Sequence, residues 1–368
     1  MGQQTDGMTT EFGTDVVRSL ARALRTAARA ELKAVGTDTV LAELVAETDA
    51  GEAIAPGMRK SGSLGGRIRA LATGGRWVST DDAEDVADDE VDAVWREVLW
   101  LRRSGESEPD AVELPGTTRA LRTVLHHALE TARAEGTLCV NRNHVARALL
   151  ELPGTRAREA MTLERIDTAA ALERLDALTP QEGPEPFSLR VLRMGGAFGR
   201  RRNPVTRVLG SWVSGTGVNG SPVLSAVHSE ALRQAARRGR DVCGPVDELA
   251  GILALDRTLH VHGRTLTDDL KAANSAADVL RGHGIRQDTL RTALAAVPPA
   301  TEEATQENEE HAAQRATDAA RLTAAEHGAP TTGTVHLLTA LLDDETVVGV
   351  LGPDVSALRA DLTPLLGA

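Results

Sequence analysis

Tyrosine is absent from this 368-residue chain, which has only three Phe and four Trp. So few aromatics argue against a β sandwich or barrel, whose strands lean on aromatic and β-branched side chains. The abundance of Ala, Leu, Val, Arg and Gly favours helices packed through small residues. Cysteine is nearly absent too: Cys139 and Cys243 lie far apart and share no C-x-x-C or metal-binding spacing, so they read as reduced core thiols, with a disulfide as the lesser alternative. Net positive charge is lacking. The formal charge is −12 and the pI near 5.4, which argues against general affinity for nucleic acid or an anionic membrane. Residues 1–10 carry neither the basic nor the apolar region of a signal peptide, and no stretch approaches the ~18 apolar residues of a membrane span. A cytoplasmic location is the expectation.

Motifs for chemistry are also wanting. Neither Gly195–Arg200 nor Gly215–Gly220 supplies the G-x-x-x-x-G-K-[ST] loop in which Lys contacts phosphate and a hydroxyl binds magnesium. No G-x-S-x-G turn offers a serine nucleophile. His126 and His127 are adjacent on an expected helix and point in different directions, so they do not chelate as an i, i+4 pair would. His260-Val261-His262 reads as a polar loop or an extended segment, with no Cys or carboxylate cluster to complete a metal site. The expectation is a protein that is not an enzyme and has no cofactor and no metal.

What is present is a recurring helical order. In the last copy, Ala312, Ala313, Ala316, Ala319, Ala320, Leu322 and Ala324 predict a long helix over 311–326, ended by His327-Gly328. A second helix is expected from Thr334 as N-cap, with Val335, Leu337, Leu338, Leu341 and Leu342 on its apolar face. Short helices around Val347–Leu351 and Val355–Leu365 follow, the latter with Asp354 as N-cap. The same order runs through 118–175, through 224–294 and, more weakly, from Val16 to Val45. Residues 76–115 do not fit. They read as the acidic run Asp81–Asp92 feeding an amphipathic helix built on Val94, Trp95, Val98, Leu99 and Leu101. Residues 178–223, rich in Gly, Pro and Ser and carrying Arg200, Arg201 and Arg202, read as a linker, although Val208, Leu209, Trp212 and Val213 are apolar enough to dock on a domain.

The turn into the second helix of each copy resembles the N-terminal repeat of Clp-family unfoldases, whose signature there is an apolar residue, Gly, Thr, Glu, His and a Leu-rich helix. The copies read Gly36-Thr37-Asp38-Thr39-Val40-Leu41, Asn141-Arg142-Asn143-His144-Val145, Gly244-Pro245-Val246-Asp247-Glu248-Leu249 and Gly333-Thr334-Val335-His336-Leu337-Leu338. The resemblance implies an all-α fold of two domains, each a pseudo-twofold pair of four-helix repeats: 11–177 with the insert 76–115, and 224–368, joined by the linker 178–223. In that family two repeats form a helical domain that sits ahead of ATP-driven modules and receives substrates, adaptors or arginine-phosphorylated proteins.

The family's phosphoarginine pocket uses the signature Glu, whose positions here are Asp38, Asn143, Val246 and Val335. Only Asp38 keeps an acid. It reads either as a ligand-binding carboxylate or as a helix-start residue favoured by the macrodipole. Thr37, like Thr334, reads as an N-cap, and Val246 and Val335 as core or groove residues. Phe12, just ahead of the first long helix, is a groove candidate or a core anchor. His144 and His336 occupy the same repeat position, which suggests a shared hydrogen bond near the helix start. The functional expectation is a non-catalytic, Clp-associated adaptor, decoy or regulator that binds a protein or peptide ligand, a Clp unfoldase or its substrates. The alternatives are a sequestering protein for peptide antibiotics aimed at Clp N-terminal domains and, least supported, a cryptic enzyme.

Overall fold

A computed structural model describes residues 6–84, 86–104, 114–178, 183–199, 221–295, 303–353 and 355–367. These residues are all-α, with nineteen α-helices and four two-residue strands. The basic stretch Arg200–Arg202, the apolar residues Val208–Val213 and the expected N-cap Asp354 lie outside them. No helix among the described residues is long and apolar enough to cross a membrane. Two compact units result: Thr10–Pro184, and Met1–Thr9 with Glu185–Ala368.

The Thr10–Pro184 unit runs β1 (Glu11–Phe12), α1 (Thr14–Arg29), β2 (Ala34–Val35), α2 (Thr37–Glu47), α3 (Asp49–Ile54), α4 (Met58–Gly74), α5 (Asp89–Ser104), β3 (Gly116–Thr117), α6 (Arg119–Ala134), β4 (Cys139–Val140), α7 (Arg142–Glu151), α8 (Arg156–Leu163) and α9 (Thr168–Asp176). The long helices follow from their spacing. In α1, Val16, Val17, Leu20, Ala23, Leu24 and Ala27 form one buried stripe. In α6, Leu121, Val124, Leu125, Ala128, Leu129 and Ala132 do the same, and Thr118 caps the helix by accepting from Leu121 N at 3.2 Å. Truncating a fully buried leucine such as Leu125 to Ala removes about 2–5 kcal/mol. The amphipathic helix expected in the acidic segment is α5, which buries Val91, Val94 and Val98 against the same core.

Two parallel bridges stitch this unit at the entries to its helices. β1 pairs with β4 (Glu11 opposite Cys139, Phe12 opposite Val140), and β2 pairs with β3 (Ala34 opposite Gly116, Val35 opposite Thr117). The strand before α1 therefore meets the strand before α7, and the strand before α2 meets the one before α6.

The other unit runs α10 (Phe187–Gly195), α11 (Pro222–Arg237), α12 (Pro245–Val261), α13 (Asp268–Lys271), a 3-10 turn at Ala272–Asn274, α14 (Ala276–Gly282), α15 (Gln287–Ala295), α16 (Glu303–Glu326), α17 (Thr334–Leu341), α18 (Glu345–Leu351), α19 (Val355–Leu362) and a 3-10 turn at Thr363–Leu365. Its core gathers Val227, Leu249, Leu253, Val335 and Leu338 around α12, a helix buried on most of its circumference. Part of the expected linker is helix: α10 puts Leu189 and Leu192 into this core and packs on α11. The expected loop at His260-Val261-His262 is also helix, because α12 continues through Val261 and His262 Nδ1 donates back to Thr258 O at 2.9 Å.

Residues 6–9 belong to this second unit as well. Gly7 O accepts from Asp288 N at 3.1 Å, Asp6 pairs with Arg286 at 2.7 Å, and Thr9 O accepts from Arg257 Nε at 2.7 Å.

Candidate functional site

The most highly organised polar site in the Thr10–Pro184 unit lies at the start of α2. Here the backbone after α4 folds back, held by Glu159 of α8, whose carboxylate accepts from Val78 N and Ser79 N at 3.0 and 2.8 Å. The Arg156 guanidinium lies 5.9 Å over the Trp77 ring, a cation–π contact that fixes the same strand of chain. The result is a precise placement of Asp81, which is 1% exposed and adopts a left-handed backbone, φ 55°.

The Asp81 carboxylate takes four hydrogen bonds. Oδ2 accepts from Thr37 N at 2.9 Å and Thr118 Oγ1 at 2.8 Å, while Oδ1 accepts from Thr37 Oγ1 at 2.5 Å and Arg156 N at 3.0 Å. Thr37 opens α2, Thr118 caps α6 and Arg156 opens α8, so three helix N-termini converge on one anion. Unsatisfied N–H groups and the positive ends of the helix dipoles make such a place a strong anion site. The chain fills it with its own carboxylate.

Asp38 sits beside it, 2% exposed, and its Oδ1 has no hydrogen-bond partner. Burial first, and the Asp81 charge second, push its carboxyl up to about 6, against partial relief from Arg156 and the amides of α2. Gly36 is what lets the two acids share the turn, since a Cβ there would overlap the Asp38 carboxylate and crowd Asp81.

The expected N-cap role of Thr37 and Thr334 is corrected. Gly36 and Gly333 are the cap residues, and each Thr is the first helical residue. Its hydroxyl instead ties a second helix: Thr37 Oγ1 accepts from Ala157 N at 3.1 Å, and Thr334 Oγ1 from Ala276 N at 3.4 Å. Its own N–H goes to a side chain from elsewhere, Asp81 for Thr37 and Asn274 for Thr334, the latter at 3.0 Å.

The start of α7 is served in a related way. Asn141 caps Asn143 N and His144 N, and Arg142 N donates to the buried Asp15 of α1 at 3.1 Å. Asn143 is half-buried there. The shared histidine role is visible: His144 Nδ1 accepts from Asn141 N and His336 Nδ1 from Gly333 N, each at 3.0 Å. The opposite nitrogens donate to Glu135 at 3.0 Å and to Leu366 O at 2.9 Å.

Phe12, Val246 and Val335 are core residues, 2%, 4% and 0% exposed. At the start of α12, Pro245 occupies the first helical position and Asp247 Oδ2 accepts from Gly244 N at 2.9 Å. Arg238 and Arg240 flank Asp247, and Arg240 also pairs with Glu309. Burial raises the Asp247 carboxyl and lowers the Arg238 guanidinium.

His126 Nδ1 lies 3.2 Å from Asp88 and His127 Nε2 2.9 Å from Glu151, so the two rings face different partners. Sequence reasoning missed Asp81 as a structural anion, because it stands first in an acidic run that reads as a solvated loop.

Comparison of the chain with protein-family models, with curated proteins and with solved structures finds no match.

Proposed function

We propose that the chain is a non-catalytic binding protein of the Clp-associated kind, an adaptor, decoy or regulator that takes protein or peptide partners. The observation that carries this reading is the equivalence of Thr37 and Thr334. Each begins the second helix of a signature turn, gives its N–H to a side chain from outside that turn, Asp81 from later in the chain for Thr37 and Asn274 from earlier for Thr334, and ties its hydroxyl to the start of a short helix. Together with the crossed bridges β1–β4 and β2–β3, this supports the pairing of four-helix repeats about a pseudo-twofold axis within the Thr10–Pro184 unit. At the start of α2, Asp81, Thr37 and Thr118 are engaged with one another and with Arg156 N, and so hold helices together.

The test is titration of the purified full chain with a labelled, permanently unfolded protein, with a purified Clp unfoldase and with a peptide antibiotic directed at Clp N-terminal domains. Saturable binding of unfolded protein or unfoldase without nucleotide supports the proposal. Binding of the antibiotic alone moves the reading to sequestration, and binding of none of the three overturns it.

A further inference from the structure

Three donors of different chemistry meet at the junction of α11 and α12, where Cys243 precedes and Glu248 belongs to the third signature turn. His228 projects from α11, Cys243 lies in the turn just before α12, and Glu248 stands in the first turn and a half of α12. His228 Nδ1 is 2.6 Å from Glu248 Oε1, and Cys243 Sγ is 3.7 Å from the same oxygen. The three donor atoms all lie within 4.8 Å of one another. In a tetrahedral site with zinc-like bond lengths of ~2.0–2.3 Å, neighbouring donor atoms lie roughly 3.3–3.7 Å apart, so sub-ångström adjustments of side chains accommodate an ion.

The electrostatics favour a cation. Glu248 is 1% exposed and Cys243 2%, while His228 has half its side chain in solvent, which leaves one side of the cluster accessible. The nearby guanidinium groups are committed elsewhere: Arg238 and Arg240 pair with Asp247, and Arg240 also with Glu309. On binding a dication, the Cys243 thiol would release its proton to water. The comparable group Asp88, His126 and Glu130 differs. There Asp88 already accepts from Glu90 N and Val91 N and pairs with Arg133, so its oxygens serve the helix start.

We propose that His228, Cys243 and Glu248 form a three-ligand site for a zinc-class divalent cation, with the fourth position left to water. Mixed S, N and O donation selects a borderline metal over magnesium or calcium, which prefer oxygen alone. The ion would link α11 to the entry of α12, the helix around which this unit's core is built.

Cobalt(II) is the probe. The full chain, stripped with a chelator and kept reduced, is titrated with Co²⁺ and then with Zn²⁺. The expected result is a thiolate-to-cobalt charge-transfer band that saturates at one equivalent and is erased by zinc. Cys243→Ser removes the band, Cys139→Ser leaves it, and His228→Ala, at an exposed position that spares the fold, weakens binding by more than the ~10- to 100-fold caused by losing an outer partner. The absence of a thiolate band in the wild-type chain overturns the proposal. So does a band lost with Cys139 in place of Cys243, or unchanged affinity in His228→Ala.

Discussion

Asp81 and Asp38 stand side by side at the start of α2 on unequal terms: one accepts four hydrogen bonds from three helix starts, and the other buries an oxygen with none. The first is a clamp and the second a source of strain in the folded state. Each role has a measurable consequence.

Replacing Asp81 with Ala leaves Thr37 N, Arg156 N and two hydroxyls without their acceptor in a buried place. Loss of a buried acceptor costs about 1–3 kcal/mol per stranded donor, tempered by relaxation and water entry, so a total of about 3 kcal/mol is expected. The corresponding fall in Tm is about 6–12 °C for a unit of this size. Trp77, Trp95 and Trp100 lie in the Thr10–Pro184 unit and Trp212 falls in the sequence of the other, so urea denaturation followed by tryptophan fluorescence in a Trp212→Phe background reads this unit. An unchanged midpoint would show that the converging donors are satisfied without Asp81.

Asp38 makes stability depend on pH in the sense opposite to a salt-bridged acid. Its carboxyl titrates near 6 when folded, against an ordinary 3.8. The folded state therefore holds a proton that the unfolded state has released between these values, and stability falls as pH rises from 3.8 to about 6. Above that window the full penalty is present, up to about 3 kcal/mol, and below it there is none. Asp38→Asn, which mimics the protonated form, is expected to be the more stable protein at about pH 7.5, with the difference closing near pH 4. Parallel pH profiles for the two proteins would refute the assignment.

The paired capping histidines should differ in weight. His336 is fully buried and its second nitrogen donates to Leu366 O, whereas the Glu135 partner of His144 is half in solvent and Asn141 supplies further capping bonds. His336→Ala is expected to destabilise its unit by about 2–4 kcal/mol and His144→Ala by about 1 kcal/mol. Calorimetry of the two variants checks the order, and equal losses would contradict it.

Gly333 faces the Ala272–Asn274 turn so closely that a Cβ would overlap the Ala273 carbonyl oxygen. Backbone on both sides leaves no flexible group to yield. Gly333→Ala should therefore cost more than the ~1 kcal/mol of an ordinary glycine replacement, on the order of 2–3 kcal/mol, and Asn274→Ala should be milder. Hydrogen exchange at the start of α17 would localise the loss, and normal protection in Gly333→Ala would remove the argument.

The all-helical class was legible because the apolar stripes of α1, α6 and α11 recur at helical spacing, with Gly136 and Gly239 closing α6 and α11. Helix α4 was not, since it carries Gly62, Gly65, Gly66 and Gly74 and buries only Leu64 and Ile68. Helix α10 was hidden among Gly and Pro, and the four strands are two residues long, below any periodic signal. At the candidate site, Asp38 was visible through the signature turn, but Asp81 comes from 43 residues further along the chain and is placed by Glu159 and Trp77, which no local pattern connects. His228, Cys243 and Glu248 likewise meet only through the crossing of two helices.

The attachment of residues 6–9 to α12 and α15, with α10 seated in the same core, bears on what a broken chain would do. A single cleavage between 200 and 220 yields two polypeptides, and the N-terminal one still contributes both a strap and a core helix to the unit completed by the other. Such a nicked protein should run as two bands when denatured yet migrate as one species under native conditions. The two fragments, produced separately, should then reassemble on mixing, each half carrying its own means of rejoining the other.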